Sequence, residues 1–215
     1  MTKQELKIIE KYLDLESCEY LSNFFRNTVN LLDQTPNSYP SKLGWAITST
    51  PKSTEISRDV KVMPDSDDED INKFSGIFTD LVLNIKEECE KFFNQEMDFV
   101  NIGYHLMCPG AHNGLHSDST NLDGSVNSAD GVSEPQEFSA LLYLNSYKIN
   151  YTGGRIIFPK QDLIIEPSIG TLIIFRGNEK YPHEVEKIKT GIRDTVVIFL
   201  GKKGQVSDRQ MISFI

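Results

Sequence analysis

The sequence predicts a mainly β fold with supporting helices (α+β), and three features of the chain carry this prediction. Two helix-like segments, residues 14–33 and 69–93, lie in the N-terminal part of the chain. After about residue 98, short segments rich in Val, Ile, Phe and Tyr follow one another. Gly, Pro and Asn separate these segments, which favours a sandwich or jelly roll over alternating strand and helix units.

Apolar residues recur at steps of three and four in both helix-like segments, as they do on one face of an α-helix. Asp14 is available as the N-cap of the first helix. An acidic run, residues 65–70, precedes the second helix and would stabilise its N-terminus; a metal site there is the less favoured interpretation. The apolar positions are Cys18, Leu21, Phe25, Val29 and Leu32 in the first segment, and Ile71, Phe74, Phe78, Leu81, Ile85, Cys89 and Phe92 in the second.

Eight short strands are predicted after the second helix. They are residues 99–107, 113–118, 138–145, 154–158, 162–165, 171–176, 182–187 and 193–200. A further strand-like stretch, Trp45 to Met63, lies between the helices and is broken by Pro51. The polar stretch from Ser117 to Glu137 is too long for a routine hairpin, and the sequence leaves open whether it is a lid or a disordered insertion.

The 215 residues are enough for one domain with a sizeable core. We expect residues 1–98 to form a supporting region of helices and strand within that domain, and residues 99–215 to form its β core. No feature of the sequence indicates an oligomeric state.

Charge and cysteine content limit the classes of protein that this chain can be. The chain has 22 Lys and Arg against 31 Asp and Glu, a net charge of −9, which argues against binding to nucleic acid. Its three cysteines are widely spaced and form no Cys-x-x-Cys pair, which is typical of a reducing compartment. No apolar run approaches the ~20 residues of a membrane span, and no signal-peptide pattern opens the chain. We therefore expect a soluble, cytoplasmic protein with no membrane association.

Candidate metal ligands stand in the β region. His116 and Asp118 are two residues apart, so on an extended strand their side chains point to the same face. A distant second histidine, such as His183, would complete the two-His, one-carboxylate set that binds Fe(II) in oxygenases. A His-x-Asp pair on its own also occurs by chance at protein surfaces.

Arg193 opens the last predicted strand, on the same strand face as Val197 and Phe199. Its side chain is therefore expected to point into an apolar interior, where a guanidinium needs an anion. A carboxylate of the protein or a carboxylate of a ligand would serve, because the planar fork of Arg binds either in a bidentate way.

Three segments of the β region together resemble the Fe(II)/2-oxoglutarate-dependent dioxygenases, and within them the prolyl 4-hydroxylase type. They are Ser-Ala-Leu-Leu-Tyr-Leu-Asn at 139–145, Gly-Gly-Arg-Ile-Ile-Phe-Pro at 153–159, and His-Glu-Val-x-x-Ile-x-x-Gly-x-Arg at 183–193. The resemblance spans His116 to Phe199 in the expected order. The segment from Lys11 to Leu21 is similar to the strand–helix start of the same branch, although this part is less specific.

The resemblance implies a double-stranded β-helix (jelly roll) core in residues 99–215, packed against the N-terminal helices. It also implies that His116, Asp118 and His183 bind Fe(II), while 2-oxoglutarate chelates the iron and its far carboxylate pairs with Arg193. The further residues implied for the cosubstrate pocket are Tyr143, whose hydroxyl helps to hold that carboxylate, and Leu141, Val197 and Phe199, which line it.

The implied reaction uses O2 to decarboxylate 2-oxoglutarate to succinate while an unactivated C–H bond is hydroxylated, with ascorbate as an additional expectation from the family. Proline in a peptide or protein is the leading substrate. The alternatives are a related dioxygenase acting on a free amino acid, another small molecule or a nucleobase, and a jelly-roll metal-binding or ligand-binding module without catalysis.

The sequence departs from the branch before the triad. The branch commonly has Tyr-x-x-Gly-x-x-Tyr-x-x-His; here Gly110 is kept, but Met107 and Asn113 occupy the tyrosine positions. Tyr104 and Arg155 are predicted as substrate contacts, with a surface position for Arg155 as the favoured alternative.

Overall fold

The structure is a computed structural model that describes residues 5–33, 55–59, 69–125 and 136–205. The elements in chain order are β1 (Leu6–Ile9), α1 (Leu15–Asp33), β2 (Glu55–Asp59), α2 (Glu69–Phe93), β3 (Met97–Met107), β4 (Asn113–His116), β5 (Phe138–Tyr143), β6 (Tyr151–Thr152), β7 (Ile156–Phe158), β8 (Leu163–Ile165), β9 (Leu172–Arg176), β10 (His183–Val185), β11 (Thr190–Gly191) and β12 (Arg193–Lys202). A short 3-10 helix, Pro159–Gln161, follows β7.

The strands form two main antiparallel sheets that face each other. The larger sheet has the order β1-β9-β5-β12-β3-β2, and the smaller one the order β4-β10-β7-β8. A two-stranded ribbon, β11-β6, adjoins them. The predicted architecture, a jelly roll with supporting helices, is confirmed, because strands distant in sequence such as β5 and β12 lie side by side.

The two helices cover the outer face of the larger sheet. The Phe25 ring of α1 stacks on the Tyr104 ring of β3 at 4.3 Å between centroids, and Phe74 of α2 meets Phe25 edge to face at 5.3 Å. Each such fully buried aromatic side chain contributes about 1.5–3 kcal/mol through burial. The opposite, inner face of this sheet is not covered by the helices and faces the smaller sheet.

Alternation along β12 assigns its side chains to these two faces. Val196 and Ile198 belong to the helix-side core, whereas Val197 belongs to the apolar cluster between the sheets. Side chains two residues apart on a strand share a face, so Arg193 also points inward, as the sequence predicts.

The predicted helices and the eight predicted strands of the β region are confirmed, with bounds that shift by a few residues. Asp14 caps α1, since the backbone N–H of Ser17 donates to its carboxylate at 2.8 Å. Strand β1 and the β6–β11 ribbon were not among the predicted strands. Residues 34–54, 60–68 and 126–135 lie outside the described part, so the expectations for Pro51, for most of the acidic run and for the lid are left as predictions. Neither described helix combines the length and apolar composition that crossing a membrane requires.

Candidate active site

Two neighbouring strands of the smaller sheet bring three candidate metal ligands together. His116 ends β4 and His183 begins β10, and the two residues are direct partners in the antiparallel register. The Oδ1 atom of Asp118 lies 3.4 Å from Nε2 of His116 and 3.7 Å from Nε2 of His183. Their ligand atoms all lie within 4.8 Å of one another, so one ion could contact all three.

Hydrogen bonds orient each of these ligands. Nδ1 of His116 donates to the carbonyl of Gly114 at 2.8 Å, and Nδ1 of His183 lies 3.3 Å from the carbonyl of Tyr181. A carbonyl only accepts, so each neutral ring carries its proton on Nδ1 and presents the lone pair of Nε2 to the site. Fixing the outer nitrogen in this way is characteristic of histidines that bind metals.

The local electrostatics favour the protonation state that a metal needs at Asp118 and at His183, but not at His116. Burial on its own would raise the pKa of Asp118, but His183 and the hydrogen bonds from Ser139 and from the protonated form of His116 outweigh it and hold that pKa below its ordinary value. Burial lowers the pKa of His183. The hydrogen bond to Asp118 raises the pKa of His116, against the effect of burial. An ionised carboxylate and a neutral imidazole are thus available at neutral pH, as metal binding requires.

The triad opens onto a cavity between the two sheets. Leu141, Val197 and Phe199 supply apolar wall from the larger sheet, and Arg193 and Thr195 supply polar groups on the same wall. A mostly apolar cavity with a few convergent polar groups is the usual form of a small-molecule site.

Arg193 is almost completely buried, at 3% exposure. Its guanidinium donates to the hydroxyl of Tyr143 at 2.9 Å and approaches Thr195 Oγ1 at 3.4 Å and Met107 Sδ at 3.2 Å. The guanidinium also lies over the Tyr143 ring, 4.9 Å from its centroid. These contacts hold a positive charge in a fixed position against the cavity.

A second tyrosine accompanies Arg193. Tyr151 is 2% exposed, and its buried hydroxyl has no hydrogen-bond partner among the described residues. Burial raises the pKa of this hydroxyl, while the nearby charge of Arg193 opposes the shift. A buried hydroxyl left without a partner costs free energy, so a ligand oxygen beside Arg193 would relieve that cost.

The residues of the site fit an iron ion and 2-oxoglutarate. Two imidazole nitrogens and one carboxylate oxygen are the donors of a facial Fe(II) site that leaves positions open for other ligands. The Arg193 guanidinium and the Tyr151 hydroxyl match the charge and hydrogen-bonding needs of a carboxylate in the same cavity.

The structure corrects the predicted substrate contacts. The Tyr104 ring lies on the helix side of the larger sheet, fully buried against Phe25, so the prediction that it touches substrate is wrong. Arg155 forms a bidentate pair with Glu186, at 2.7 and 2.6 Å, instead of lining the cavity. The predicted residues that do line the cavity are Leu141, Arg193, Val197, Phe199 and the triad, and Tyr143 contacts Arg193 from behind.

Other residues of the site were missed at the sequence level. Thr195 could have been found, because it lies between Arg193 and Val197 on the same strand face. His105 also lines the cavity. Tyr151 and Ser139 carry no local signal, since folding of distant segments brings them to the site.

Comparisons with known proteins agree with this geometry. Residues 102–201 match the sequence profile of the 2OG-Fe(II) oxygenase superfamily. Over 64 residues the chain is 33% identical to the 2-oxoglutarate and iron-dependent oxygenase domain-containing protein 3 of Xenopus tropicalis and 31% identical to that of Homo sapiens. Each alignment covers 29% of this chain and 20% of the relative. The match thus spans about a fifth of the length of these curated relatives.

Solved prolyl hydroxylases share the fold. A prolyl-4-hydroxylase of Pseudomonas putida superposes with a TM-score of 0.60 at 18% identity, over 94% of this chain and 95% of that one. A prolyl hydroxylase of Trichoplax adhaerens, in complex with a peptide fragment of hypoxia inducible factor, gives 0.60 at 15% identity, over 94% and 85%. The viral collagen prolyl hydroxylase of Paramecium Bursaria Chlorella virus-1 gives 0.53 at 17% identity, over 93% and 96%.

The fold and the site together describe a jelly-roll protein whose His-Asp-His cluster could hold a metal ion. The matched residues contain the triad and Arg193 and resemble the 2OG-Fe(II) oxygenase superfamily, and the fold is prolyl 4-hydroxylase-like.

Proposed function

We propose that this protein is a 2-oxoglutarate-dependent oxygenase that hydroxylates proline in a peptide or protein. The observation that carries the proposal is the combination, in one cavity, of a converged His-Asp-His triad with a buried arginine. The prolyl hydroxylases of the same fold, one of them in complex with a peptide, support the substrate class.

Each residue of the site has a role in this proposal. His116, Asp118 and His183 hold Fe(II) through Nε2, Oδ1 and Nε2. Arg193 binds the far carboxylate of 2-oxoglutarate, and the hydroxyls of Tyr143 and Tyr151 assist it. The aliphatic part of the cosubstrate lies against the apolar wall formed by Leu141, Val197 and Phe199.

Bound Fe(II) and 2-oxoglutarate would supply the reaction of O2 that yields succinate, carbon dioxide and a hydroxylated C–H carbon. The protein supplies position and environment. Arg193 and the two tyrosines fix the cosubstrate at its far end, so that its keto-acid end meets the triad in a defined orientation. The apolar wall excludes water from the reacting groups.

The substrate alternatives remain a free amino acid, another small molecule or a nucleobase. Asn113, which lines the cavity where the branch commonly has a tyrosine, is the observation that keeps a small substrate under consideration. The acidic net charge of −9 favours a peptide over a nucleic acid.

The experiment is a turnover assay with purified protein, Fe(II), 2-oxoglutarate and O2, with and without ascorbate. Proline-containing peptides are compared with matched peptides in which alanine replaces proline. We expect succinate formation to be stimulated by the proline peptides alone, with one oxygen atom added per succinate, and to disappear in His183→Ala. Equal stimulation by the alanine peptides, or stimulation only by a free amino acid or nucleobase, would refute the prolyl assignment. Metal binding without any turnover would favour the non-catalytic module.

A further inference from the structure

The carboxylate of Asp118 uses its two oxygen atoms differently. Oδ1 faces the Nε2 atoms of both histidines, at 3.4 Å for His116 and 3.7 Å for His183. Oδ2 points the other way and accepts a hydrogen bond of 2.6 Å from Ser139 Oγ. The hydrogen bond to Oδ2 therefore restricts rotation of the Asp118 carboxylate and keeps Oδ1 directed toward the metal position.

Ser139 reaches Asp118 from a different part of the fold. It lies on β5, in the middle of the larger sheet, with Phe175 and Phe199 as its strand neighbours. Its side chain is fully buried. A buried hydroxyl in such apolar surroundings needs a hydrogen-bond partner, and Asp118 provides it.

Gly177 makes room for this contact. A Cβ atom placed on Gly177 would lie 3.1 Å from Cβ of Asp118 and 3.3 Å from Ser139 Oγ. The carbonyl of Gly177 also accepts the backbone N–H of Ser119 at 2.8 Å, directly after Asp118. The segment that follows β9 thus fixes the backbone next to Asp118, while Ser139 of β5 fixes its side chain.

We propose that Ser139 is a positioning residue of the metal site, which holds Asp118 so that Oδ1 is presented to the ion, and that Gly177 provides the space this arrangement needs. The inference rests on the proposed metal site. Hydrogen bonds to a ligand from residues outside the metal site fix its orientation, and their loss weakens metal binding by about 10–100-fold.

The chain contains a matched control for the loss of the hydroxyl. Ser22 Oγ donates to Asp194 Oδ2, also at 2.6 Å, and both residues are buried. This second serine–aspartate pair ties α1 to β12 on the helix side of the larger sheet, away from the triad. Ser22→Ala therefore removes the same kind of hydrogen bond without touching a metal ligand.

The test measures Co(II) affinity of the full chain by calorimetry, together with the visible absorption of bound Co(II), which reports on coordination geometry. Thermal unfolding of the metal-free protein shows whether each variant folds. We expect the Kd for Co(II) to rise about 10–100-fold in Ser139→Ala, with an altered Co(II) spectrum, and to stay within about twofold of wild type in Ser22→Ala. Gly177→Ala, which keeps the serine but crowds Asp118, should weaken Co(II) binding as well.

Two results would overturn the inference alone: wild-type Co(II) affinity in Ser139→Ala, or equal weakening in Ser139→Ala and Ser22→Ala. Absence of Co(II) binding by the wild-type protein would overturn the proposed function, and the inference with it. The two failures are therefore distinguishable in the same experiment.

Discussion

Replacement of Arg193 tests the cosubstrate end of the cavity. The side chain is 3% exposed and donates to the hydroxyl of Tyr143 at 2.9 Å. A hydrogen bond to a charged partner contributes about 1.5–3 kcal/mol. Loss of one such interaction with the far carboxylate therefore raises the Kd for 2-oxoglutarate about 10- to 150-fold.

The assay is calorimetric titration of 2-oxoglutarate into protein loaded with Mn(II), so that no turnover takes place. Arg193→Met removes the charge and keeps much of the volume, whereas Arg193→Lys keeps the charge and loses the planar fork. We expect Met to weaken binding by the full amount and Lys to weaken it less. Neither variant should change Mn(II) affinity, because Arg193 is not among the three candidate metal ligands.

Arg155→Met is the matched control, since this arginine pairs with Glu186 outside the cavity. Its affinity for 2-oxoglutarate should equal that of the wild type. An Arg193→Met protein that binds 2-oxoglutarate within twofold of the wild type would refute the reasoning, and so would an equal loss in the Arg155 variant.

Three further predictions address other parts of the molecule. Tyr151→Phe removes a buried hydroxyl that has no partner in the described part of the chain; we expect weaker 2-oxoglutarate binding in the same titration, with unfolding free energy unchanged or increased, and unchanged affinity would exclude the hydroxyl from the site. Metal affinity should fall as the pH falls through the raised pKa of His116, by about tenfold per pH unit for one displaced proton; an affinity that is constant from about pH 8 to pH 6 would contradict the assignment of this histidine as a ligand. Phe25→Ala should lower the unfolding free energy by about 3–5 kcal/mol in denaturant titration, because the ring is fully buried against Tyr104 and α2; a loss below about 1 kcal/mol would show that the helices contribute little to the β core.

Local patterns were sufficient to predict much of the fold. Apolar residues at helical spacing predicted both helices correctly, because one face of each helix must pack against the sheet. Alternation along the last strand correctly predicted that Arg193 points inward. Val197, on the same strand face, is part of the apolar cluster between the sheets. The two-residue spacing of His116 and Asp118 likewise follows from strand geometry.

The rest of the site depends on contacts between distant segments. Ser139 and Asp118 meet only because β5 passes under the segment after β4, and no periodicity in either segment indicates that contact. Tyr151 comes close to Arg193 through the short β6–β11 ribbon, which has too few residues to show a pattern. Tyr104 was predicted to contact substrate, although its offset of three residues from Met107 puts the two side chains on opposite faces of β3. In the structure its ring packs on Phe25, on the helix side of the sheet.

The most direct test of the central claim is anaerobic absorption spectroscopy of the protein with Fe(II) and 2-oxoglutarate. Chelation of iron by the keto acid gives a weak visible charge-transfer band. We expect the band in the wild type and its loss in both Asp118→Ala and Arg193→Ala at limiting 2-oxoglutarate, because one variant removes a metal ligand and the other removes the partner of the far carboxylate. A wild-type protein that binds iron and shows no band on addition of 2-oxoglutarate would contradict the account.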